Sequence, residues 1–378
     1  MEVFKFLSLM VEKGASDLFF SVGAPVNAKI EGITYPLKMP ALAAGEVKQL
    51  AYSVMQQKQI AEFEACLEMN LAISAERIGR FRVNVFMQRG ETGMVIRYIK
   101  SKIPAIAELG LPPVLERLMM LKRGLVLVVG ATGSGKSTTL AAMINFRNEQ
   151  ATGHILTIED PIEFMHEHKR SIVDQREVGI DTMSYEAALK NALREAPDVI
   201  MIGEIRDRAT MQQAIAYSET GHLCLSTLHA NNANQAMERI LNFFPEEAHR
   251  QLLVDLSLNL AGVVAQRLIP GLRQKLAPAV EVLVRSPYVS DLIAKGDISA
   301  IKEAMGRSTE IGMCTFDQAL QSMYTDGRIS LDEALRNADS RTDLSLRIRL
   351  SSGVSPDEGG ELSIAAEVSD SGSSGMFM

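Results

Sequence analysis

The chain has 378 residues, of which 47% are hydrophobic, and it carries a formal net charge of −7. This length exceeds what one hydrophobic core usually holds, so we expect two domains and a tail. The acidic balance argues against a protein that mainly coats nucleic acid, because binding to phosphates requires clustered Lys and Arg. No apolar run approaches the length of a membrane span, so we expect any membrane contact to be indirect.

Three cysteines, Cys66, Cys224 and Cys314, lie far apart and form no Cys-x-x-Cys motif. This spacing indicates neither a zinc knuckle nor a disulfide framework, and we interpret all three as reduced, largely structural thiols. Charged residues at positions 5, 12 and 13 interrupt any apolar region that a signal peptide would need. The sequence therefore predicts an intracellular protein.

Residues 1–102 predict a small α+β domain. Helices are expected near the start of the chain and at 46–56, and short strands at 17–22, 26–30, 80–86 and 93–99. Prolines punctuate residues 103–121, and because proline disfavours continuous helix or strand, we interpret this segment as a linker. A second domain is expected at 122–350.

The clearest motif follows the apolar run 125–129 and matches the phosphate-binding pattern Gly-x-x-x-x-Gly-Lys-[Ser/Thr]. Its glycines let backbone N–H groups approach phosphate oxygens at the start of a helix. Lys136 is expected to reach the β- and γ-phosphates of ATP, and the Ser137 hydroxyl to bind Mg²⁺. The predicted nucleotide-binding residues are Gly130, Ala131, Thr132, Gly133, Ser134, Gly135, Lys136, Ser137 and Thr138.

Four apolar runs of the second domain alternate with helical patterns, which predicts a parallel sheet covered on both faces. Each run ends in polar residues. Ligands of open α/β sheets bind at the carboxyl ends of the strands, so we expect these polar residues to converge on one site. The runs are 125–129, 154–158, 198–202 and 222–227.

Three side chains at these strand ends have the chemistry that ATP hydrolysis requires. Glu204 follows the third run, where the acid of a Walker B motif would bind Mg²⁺ directly or through water, and Glu163 is our choice for polarising the attacking water. His229 ends the fourth run, in reach of a γ-phosphate, whereas His222 at its start fits a structural cap. The alternative is that both acids are ordinary surface carboxylates.

Five arginines are concentrated in the N-terminal domain. Taken alone they would be solvated charges on strands. If this domain covers the nucleotide of its own or an adjacent subunit, Arg82 and Arg97 could act as arginine fingers, brought to the γ-phosphate when the domain closes over ATP. The five are Arg77, Arg80, Arg82, Arg89 and Arg97.

Six motifs together resemble the secretion-type ATPases, and within them the type IV pilus retraction ATPases of the PilT/PilU group. They are Gly-Ala-Ser-Asp-Leu at 14–18, Gly-Arg-Phe-Arg-Val-Asn at 79–84, the phosphate-binding loop at 130–138, an aspartate box at 158–163, an atypical Walker B motif at 203–207 and a histidine box at 221–229.

This resemblance implies a homohexameric ring of RecA-like ATPase domains, each preceded by a PAS-like domain, that converts ATP hydrolysis into pilus retraction and twitching motility. It implies catalytic roles for Glu163, Glu204, His229, Arg82 and Arg97, with ATP and Mg²⁺ as ligands. It also implies a cytoplasmic protein at the inner-membrane face of the pilus machine, where the platform protein lies.

Two features favour a PilU-like accessory that works beside a paralogous, principal retraction ATPase. PilT-like enzymes carry a basic Ala-Ile-Arg-Asn-Leu-Ile-Arg-Glu segment, whereas residues 288–295 read Tyr-Val-Ser-Asp-Leu-Ile-Ala-Lys and lack both arginines. Residues 351–378 are rich in Gly, Ser and acid, with five carboxylates and no Lys or Arg, which predicts a disordered tail longer than PilT-like enzymes usually have.

Other functions remain open at the level of sequence. One is a nucleotide-gated docking ring without hydrolysis, and another is a RecA-like motor that depends on nucleic acid, although no DNA or RNA motif is present and we expect no nucleic-acid partner. A secretion-system assembly ATPase is a near alternative, but such enzymes usually carry a tetracysteine zinc insert that this chain lacks.

Overall fold

The computed structural model describes residues 3–351. Two β-sheets follow one another along the chain with helices packed on both, so the protein has the α/β class that the sequence predicts. Of the expected tail, only Ser351 is described, as the end of the last helix; the prediction for 352–378 lies outside the described residues. No helix between positions 3 and 351 combines the length and apolarity that crossing a membrane requires.

The first sheet is antiparallel and occupies residues 17–99. Alternate side chains of its longer strands are buried, the pattern expected when one face of a sheet packs on a core. The strands are β1 (Asp17–Phe20), β2 (Asn27–Ile30), β3 (Ile33–Pro36), β4 (Glu68–Ala75), β5 (Gly79–Gln88) and β6 (Glu91–Ile99). Their spatial order is β3-β2-β1-β6-β5-β4.

Three helices accompany this sheet: α1 (Val3–Glu12), α2 (Glu46–Tyr52) and α3 (Gln57–Cys66). The helix predicted at 46–56 begins at Glu46 as expected, but it ends at Tyr52, and a separate helix begins at Gln57. Gln56 has an extended backbone there, and its N–H donates to Gln59 Oε1 at 2.8 Å, which starts a new helix.

The second sheet has seven strands in the order β13-β12-β7-β11-β10-β8-β9, all parallel to their neighbours except the β12–β13 pair. The four predicted runs form β7, β11, β10 and β8 in its middle. The strands are β7 (Gly124–Val129), β8 (Gly153–Glu159), β9 (Ser171–Glu177), β10 (Val199–Ile202), β11 (Leu223–Leu228), β12 (Leu260–Pro270) and β13 (Leu276–Val284).

Both faces of this sheet are covered. All six residues of β7 are buried; Leu125 and Leu127 pack into one hydrophobic core, and Val126 and Val128 into the core on the other face. This explains the continuous apolar runs in the sequence. The covering helices include α5 (Lys136–Gln150), α6 (Tyr185–Ala192), α7 (Arg208–Glu219), α8 (Ala233–Asn242) and α9 (Glu246–Asn259).

Residues 103–121 contain a short helix, α4 (Val114–Met119), that packs against the second sheet. Leu115 and Met119 are fully buried, and Arg147 of α5 donates to the carbonyl of Met119 at 2.9 Å. The connection between the two sheets is thus part of the hydrophobic core that contains Val126 and Val128 of β7.

The described part of the chain ends in five α-helices beside β12 and β13. Arg267 of β12 lies over the ring of Phe316, 3.9 Å from its centroid, and pairs with Asp339 at 2.9 Å, which connects two points of this helical region to the sheet. They are α10 (Pro287–Lys295), α11 (Ile301–Arg307), α12 (Phe316–Thr325), α13 (Leu331–Asn337) and α14 (Arg341–Ser351).

Candidate active site

Two glycines of the phosphate-binding loop, which joins β7 to α5, cannot be replaced without a clash. Gly135 has φ of 89°, in the left-handed region, and a Cβ there would lie 2.7 Å from Gln266 Nε2. A Cβ on Gly130 would lie 2.3 Å from Ser134 Oγ. The fold therefore demands glycine at these positions, which is the reason the motif spacing is readable in the sequence.

Gln266 of β12 holds the loop from the neighbouring strand. Its side chain is buried; Nε2 donates to the Ser134 carbonyl at 2.8 Å, and Oε1 accepts from Thr139 Oγ1 at 2.6 Å. No motif in the sequence points to Gln266. The sequence shows only that Gln266 and Arg267 are polar residues within an apolar strand. It does not show that this strand lies beside β7 and its phosphate-binding loop.

Lys136 is the first residue of α5, and its ammonium group lies over the loop. Nζ donates to the carbonyls of Gly130 at 2.9 Å and Ala131 at 3.0 Å. Burial lowers the pKa of Lys136, while the charges of Glu204 and Glu163 act to raise it. The amine thus faces two carboxylates across the cleft, and the N–H groups of the first helical turn beside it have no acceptor within the helix.

A cavity of about 250 Å³ opens at the carboxyl ends of the four central strands. It is lined by residues that follow each of them, including Lys136, Ser137, Glu163, Glu204 and His229. Thr132 and Gly133 line it too, and the other predicted loop residues line neighbouring depressions around the same loop: Gly130, Ala131, Ser134, Gly135 and Thr138.

Glu204 and His229 are in direct contact. Glu204 Oε1 lies 3.2 Å from His229 Nε2, and its Oε2 accepts from Arg206 Nε at 2.7 Å. Arg206 also lies 3.9 Å from a carboxylate oxygen of Asp160. The side chains that follow β8, β10 and β11 therefore form one chain of contacts, with Glu204 at the centre.

The aspartate box contains two glutamates in opposite environments. Glu163 is exposed in the cleft, whereas Glu159 is buried and accepts from Thr157 Oγ1 at 2.7 Å and Gln175 Nε2 at 3.1 Å. Burial raises the pKa of Glu159 to about 7, and these hydrogen bonds act against the rise. The chain turns between the two at a cis Asp160–Pro161 bond.

The two predicted arginine fingers, Arg82 and Arg97, are cross-strand neighbours on β5 and β6. Neither side chain lines the cavity that the described residues form. Arg97 Nε donates to Asp17 at 2.7 Å, and its side chain is 66% exposed. Arg82 lies 3.9 Å from the buried carboxylate of Glu177, at the end of β9. The structure thus brings both arginines together, outside this chain's own cleft.

His222 lies at the opposite end of β11 from His229, away from the cavity. Its Nδ1 is 3.1 Å from Thr220 Oγ1 and 3.2 Å from the carbonyl of Tyr217. These contacts close the turn between α7 and β11, in agreement with a structural role.

The residues present fit Mg²⁺ bound together with ATP. Within the described part of the chain, no group of three or more His, Cys, Asp or Glu is placed to hold a metal alone. Mg²⁺ in phosphate-binding loops does not need such a group, because one hydroxyl, one or two carboxylates, water and substrate phosphates complete its shell. Ser137 and Glu204 supply those two ligand types in one cavity.

A glycine loop at the N-terminus of a helix, with its lysine opposite carboxylates at the ends of a parallel sheet, defines a P-loop ATPase. Comparison with known proteins narrows the class. The family model described as "Type II/IV secretion system protein" matches residues 3–349.

Several relatives cover nearly the whole chain. The type IV pilus ATPase PilU of Pseudomonas aeruginosa is 55% identical, over 93% of this chain and 92% of its own length. PilT of the same organism, a type IV pilus retraction ATPase, is 39% identical, over 89% of this chain and 98% of its own. A crystal structure of the pilus retraction motor PilT with bound ADP matches with a TM-score of 0.85 and 39% identity, covering 92% of this chain and 99% of that one.

The chain belongs to the Type II/IV secretion system protein family and, within it, to the pilus ATPases of the PilT/PilU group, on the PilU-like side. It is an ATP hydrolase. The resemblance drawn from six short motifs is confirmed.

Proposed function

We propose that this ATPase hydrolyses ATP to drive or assist the retraction of type IV pili, and hence twitching motility. The observation that carries the proposal is the meeting of Lys136, Glu163, Glu204 and His229 in one cleft. A docking ring that only binds nucleotide would need the lysine but not the carboxylates. The relatives' names supply the biological process, since one is a pilus ATPase and another a pilus retraction ATPase.

Each residue of the cleft then has a defined task. Residues 130–138 bind the phosphates through backbone N–H groups. The ammonium group of Lys136 gives up its hydrogen bonds to the loop carbonyls and binds the β- and γ-phosphates instead. Mg²⁺, when bound by Ser137 and Glu204, would offset the phosphate charge. Glu163 orients the attacking water, and His229, linked to Glu204 at 3.2 Å, contacts the γ-phosphate.

Arg82 and Arg97 are assigned to an adjacent subunit's nucleotide. Both lie outside the cleft of their own chain, and Arg97 is largely exposed. An arginine supplied by a neighbour stabilises transition-state charge in many P-loop enzymes. A head-to-tail homohexamer would provide that neighbour at every site.

We further propose that the chain works beside a paralogous principal retraction ATPase and the inner-membrane platform protein, in the cytoplasm at the face of the pilus machine. The segment that departs from the basic PilT-like sequence folds as α10, whose Tyr288, Asp291 and Lys295 are exposed. Without the two arginines this helix presents a different surface to partners, which fits an accessory motor.

The proposed domains are a PAS-like unit at 1–102, a connection at 103–121, a RecA-like ATPase unit with C-terminal helices at 122–350 and a tail at 351–378. The separate cores of the two sheets support this division. The packing of Leu115 and Met119 under the second sheet suggests that the connection moves with the ATPase unit.

The proposal is tested by Mg²⁺-dependent ATP turnover of the purified protein and of Lys136→Ala, each with and without single-stranded DNA. Turnover that is lost in the variant and unaffected by DNA supports the motor. An assembled ring without turnover would favour a docking ring, and stimulation by DNA would favour a nucleic-acid motor instead.

A further inference from the structure

The loop that carries Glu163 lies between the edge strand β9 and the end of β6. It spans residues 160–166; Ile162, Phe164 and His166 are buried, but no side chain of the loop hydrogen-bonds to the backbone of the loop in the described part of the chain. Its backbone is instead held by groups from outside the loop, and two of these come from neighbouring positions on one face of β9, Gln175 and Glu177.

Gln175 holds the loop on the C-terminal side of Glu163. Its Nε2 donates to the Phe164 carbonyl at 2.9 Å, and its Oε1 accepts from the His166 N–H at 2.8 Å. The same Nε2 reaches Glu159 at 3.1 Å, so one amide joins the loop to the end of β8. Each polar atom of this side chain is used.

Glu177 holds the loop on the N-terminal side. Its Oε2 accepts from the Ile162 N–H at 3.2 Å, and its side chain is only 1% exposed. Burial raises the pKa of Glu177, while the Ile162 hydrogen bond and the charges of Arg82 and Arg80 act to lower it. These arginines of β5 therefore favour the carboxylate form inside the protein.

The N-terminal unit adds a third anchor. The N–H of Met165 donates to the carbonyl of Lys100, directly after β6, at 2.9 Å. The positions on both sides of Glu163 are thus tied down, Ile162 by Glu177 and Phe164 by Gln175, while the Glu163 side chain itself stays exposed in the cleft.

We propose that Gln175 and Glu177 are positioning residues for Glu163, which fix the backbone on either side of it so that its carboxylate meets the attacking water at the γ-phosphate end of the cleft. This inference rests on the function proposed for Glu163. Misplacing a reacting group by about 1 Å can lower the rate by about 10²-fold. The loss of hydrogen bonds outside the cleft can therefore slow hydrolysis if it shifts Glu163.

The experiment compares kcat and KM for ATP, and the affinity for a fluorescent ATP analogue, in the full-length protein and four variants. Glu177→Ala and Gln175→Ala remove the anchors. Glu177→Gln keeps an acceptor for the Ile162 N–H. Asp174→Asn, an acid-to-amide change at an exposed position of the same strand that faces away from the loop, is the matched control.

We expect Glu177→Ala and Gln175→Ala to lower kcat by about 10- to 100-fold, with KM and analogue affinity within about threefold of wild type, because the phosphate-binding loop is untouched. Glu177→Gln should recover most of the lost kcat, and Asp174→Asn should match wild type. A purely structural role would reduce affinity and kcat together and would show no rescue by the amide.

The inference is overturned if both alanine variants turn over like wild type, if affinity falls as far as kcat, or if Glu177→Gln is as slow as Glu177→Ala. Melting temperatures establish that each variant is folded. Should Glu177→Ala fail to fold, Gln175→Ala decides, because it leaves the pair of Glu177 and Arg82 intact.

Glu163→Gln separates this inference from the proposed function. If Glu163→Gln turns over like wild type, the role assigned to Glu163 fails, and the positioning role fails with it. If Glu163→Gln is inactive but the Gln175 and Glu177 variants are fully active, only the positioning role fails.

Discussion

At the scale of single residues, the most testable contact is that of Gln266 with the phosphate-binding loop. Gln266→Ala removes two buried hydrogen bonds, each worth about 1 kcal/mol, and leaves the Ser134 carbonyl and the Thr139 hydroxyl without these partners. We expect KM for ATP to rise by about tenfold or more. Steady-state kinetics beside Gln274→Ala, an exposed glutamine in the β12–β13 turn, measure this; equal KM values would contradict it.

Glu159 gives a prediction for the pH dependence of stability. Its buried carboxyl, with a pKa near 7 against an ordinary 4.5, binds its proton more tightly in the folded chain than in the unfolded chain. As the pH rises from about 4.5 to about 7, ionisation of Glu159 therefore lowers the free energy of unfolding, by about 3 kcal/mol at most. Glu159→Gln should gain stability relative to wild type across that window.

Urea unfolding of wild type and Glu159→Gln at pH 5 and pH 8 measures the change. Glu62→Gln, an exposed glutamate of α3, controls for the substitution itself. A stability difference between wild type and Glu159→Gln that is the same at both pH values would show that the buried carboxyl does not titrate in this range.

The residues that could be predicted from the sequence share one property. Lys136, Ser137, Glu163 and Glu204 either belong to a motif of fixed spacing or directly follow an apolar run, so local sequence places them at strand ends. Gln266 contacts a loop 132 residues earlier in the chain. Such contacts depend on which strands are neighbours in the sheet, and a single sequence does not show the order of the strands.

At the scale of elements, the central strands were predictable and the outer ones were not. Strands β7, β8, β10 and β11 are buried on both faces and are near-continuous apolar runs. In contrast, β9 includes Gln175 and Glu177 because its end binds a loop. Strand β12 begins at Leu260 directly after α9 ends at Asn259, with no Gly or Pro between them to mark a boundary.

Glu281 of β13 joins two helices and the sheet. Its buried carboxylate accepts the N–H of Ala233, the first residue of α8, at 2.9 Å, and that of Phe316, the first residue of α12, at 3.3 Å. Both helix N-termini favour a negative charge there. We expect Glu281→Ala to lose about 2–4 kcal/mol of unfolding free energy.

Denaturant unfolding measures the effect of Glu281→Ala, and Glu281→Gln, which keeps the acceptor oxygen, should lose less. Glu303→Ala on the exposed face of α11 is the control. A loss equal to that of the control would mean that the N-termini of α8 and α12 do not depend on this carboxylate.

At the scale of the whole molecule, the first sheet and the ATPase unit meet beside the aspartate box. Arg82 pairs with Glu177, and Lys100 accepts from Met165, so the N-terminal unit touches the loop that carries Glu163. The sequence shows the arginines of this unit but does not show which carboxylates they pair with. Asp17 and Glu177 lie on strands that no local pattern connects with β5 or β6.

Mixing two inactive variants tests whether Arg82 acts on a neighbouring subunit. Arg82→Ala keeps an intact phosphate-binding loop, and Lys136→Ala keeps an intact arginine. If arginines act across subunit boundaries, randomly mixed rings should regain roughly a quarter of wild-type turnover, because one boundary in four joins the intact halves. ATP turnover of equimolar mixtures measures this, and no gain over the separate variants would place Arg82 at its own nucleotide or outside catalysis.

We propose that ATP hydrolysis at the cleft of Glu163 and Glu204 powers pilus retraction. The most direct measurement is pilus retraction in cells whose only copy of this chain is Glu163→Gln, with assembly of the purified variant checked separately. We expect lost or strongly slowed retraction, although the variant binds ATP and assembles like wild type. Normal retraction by a variant that no longer hydrolyses ATP would contradict the motor function and favour a docking ring.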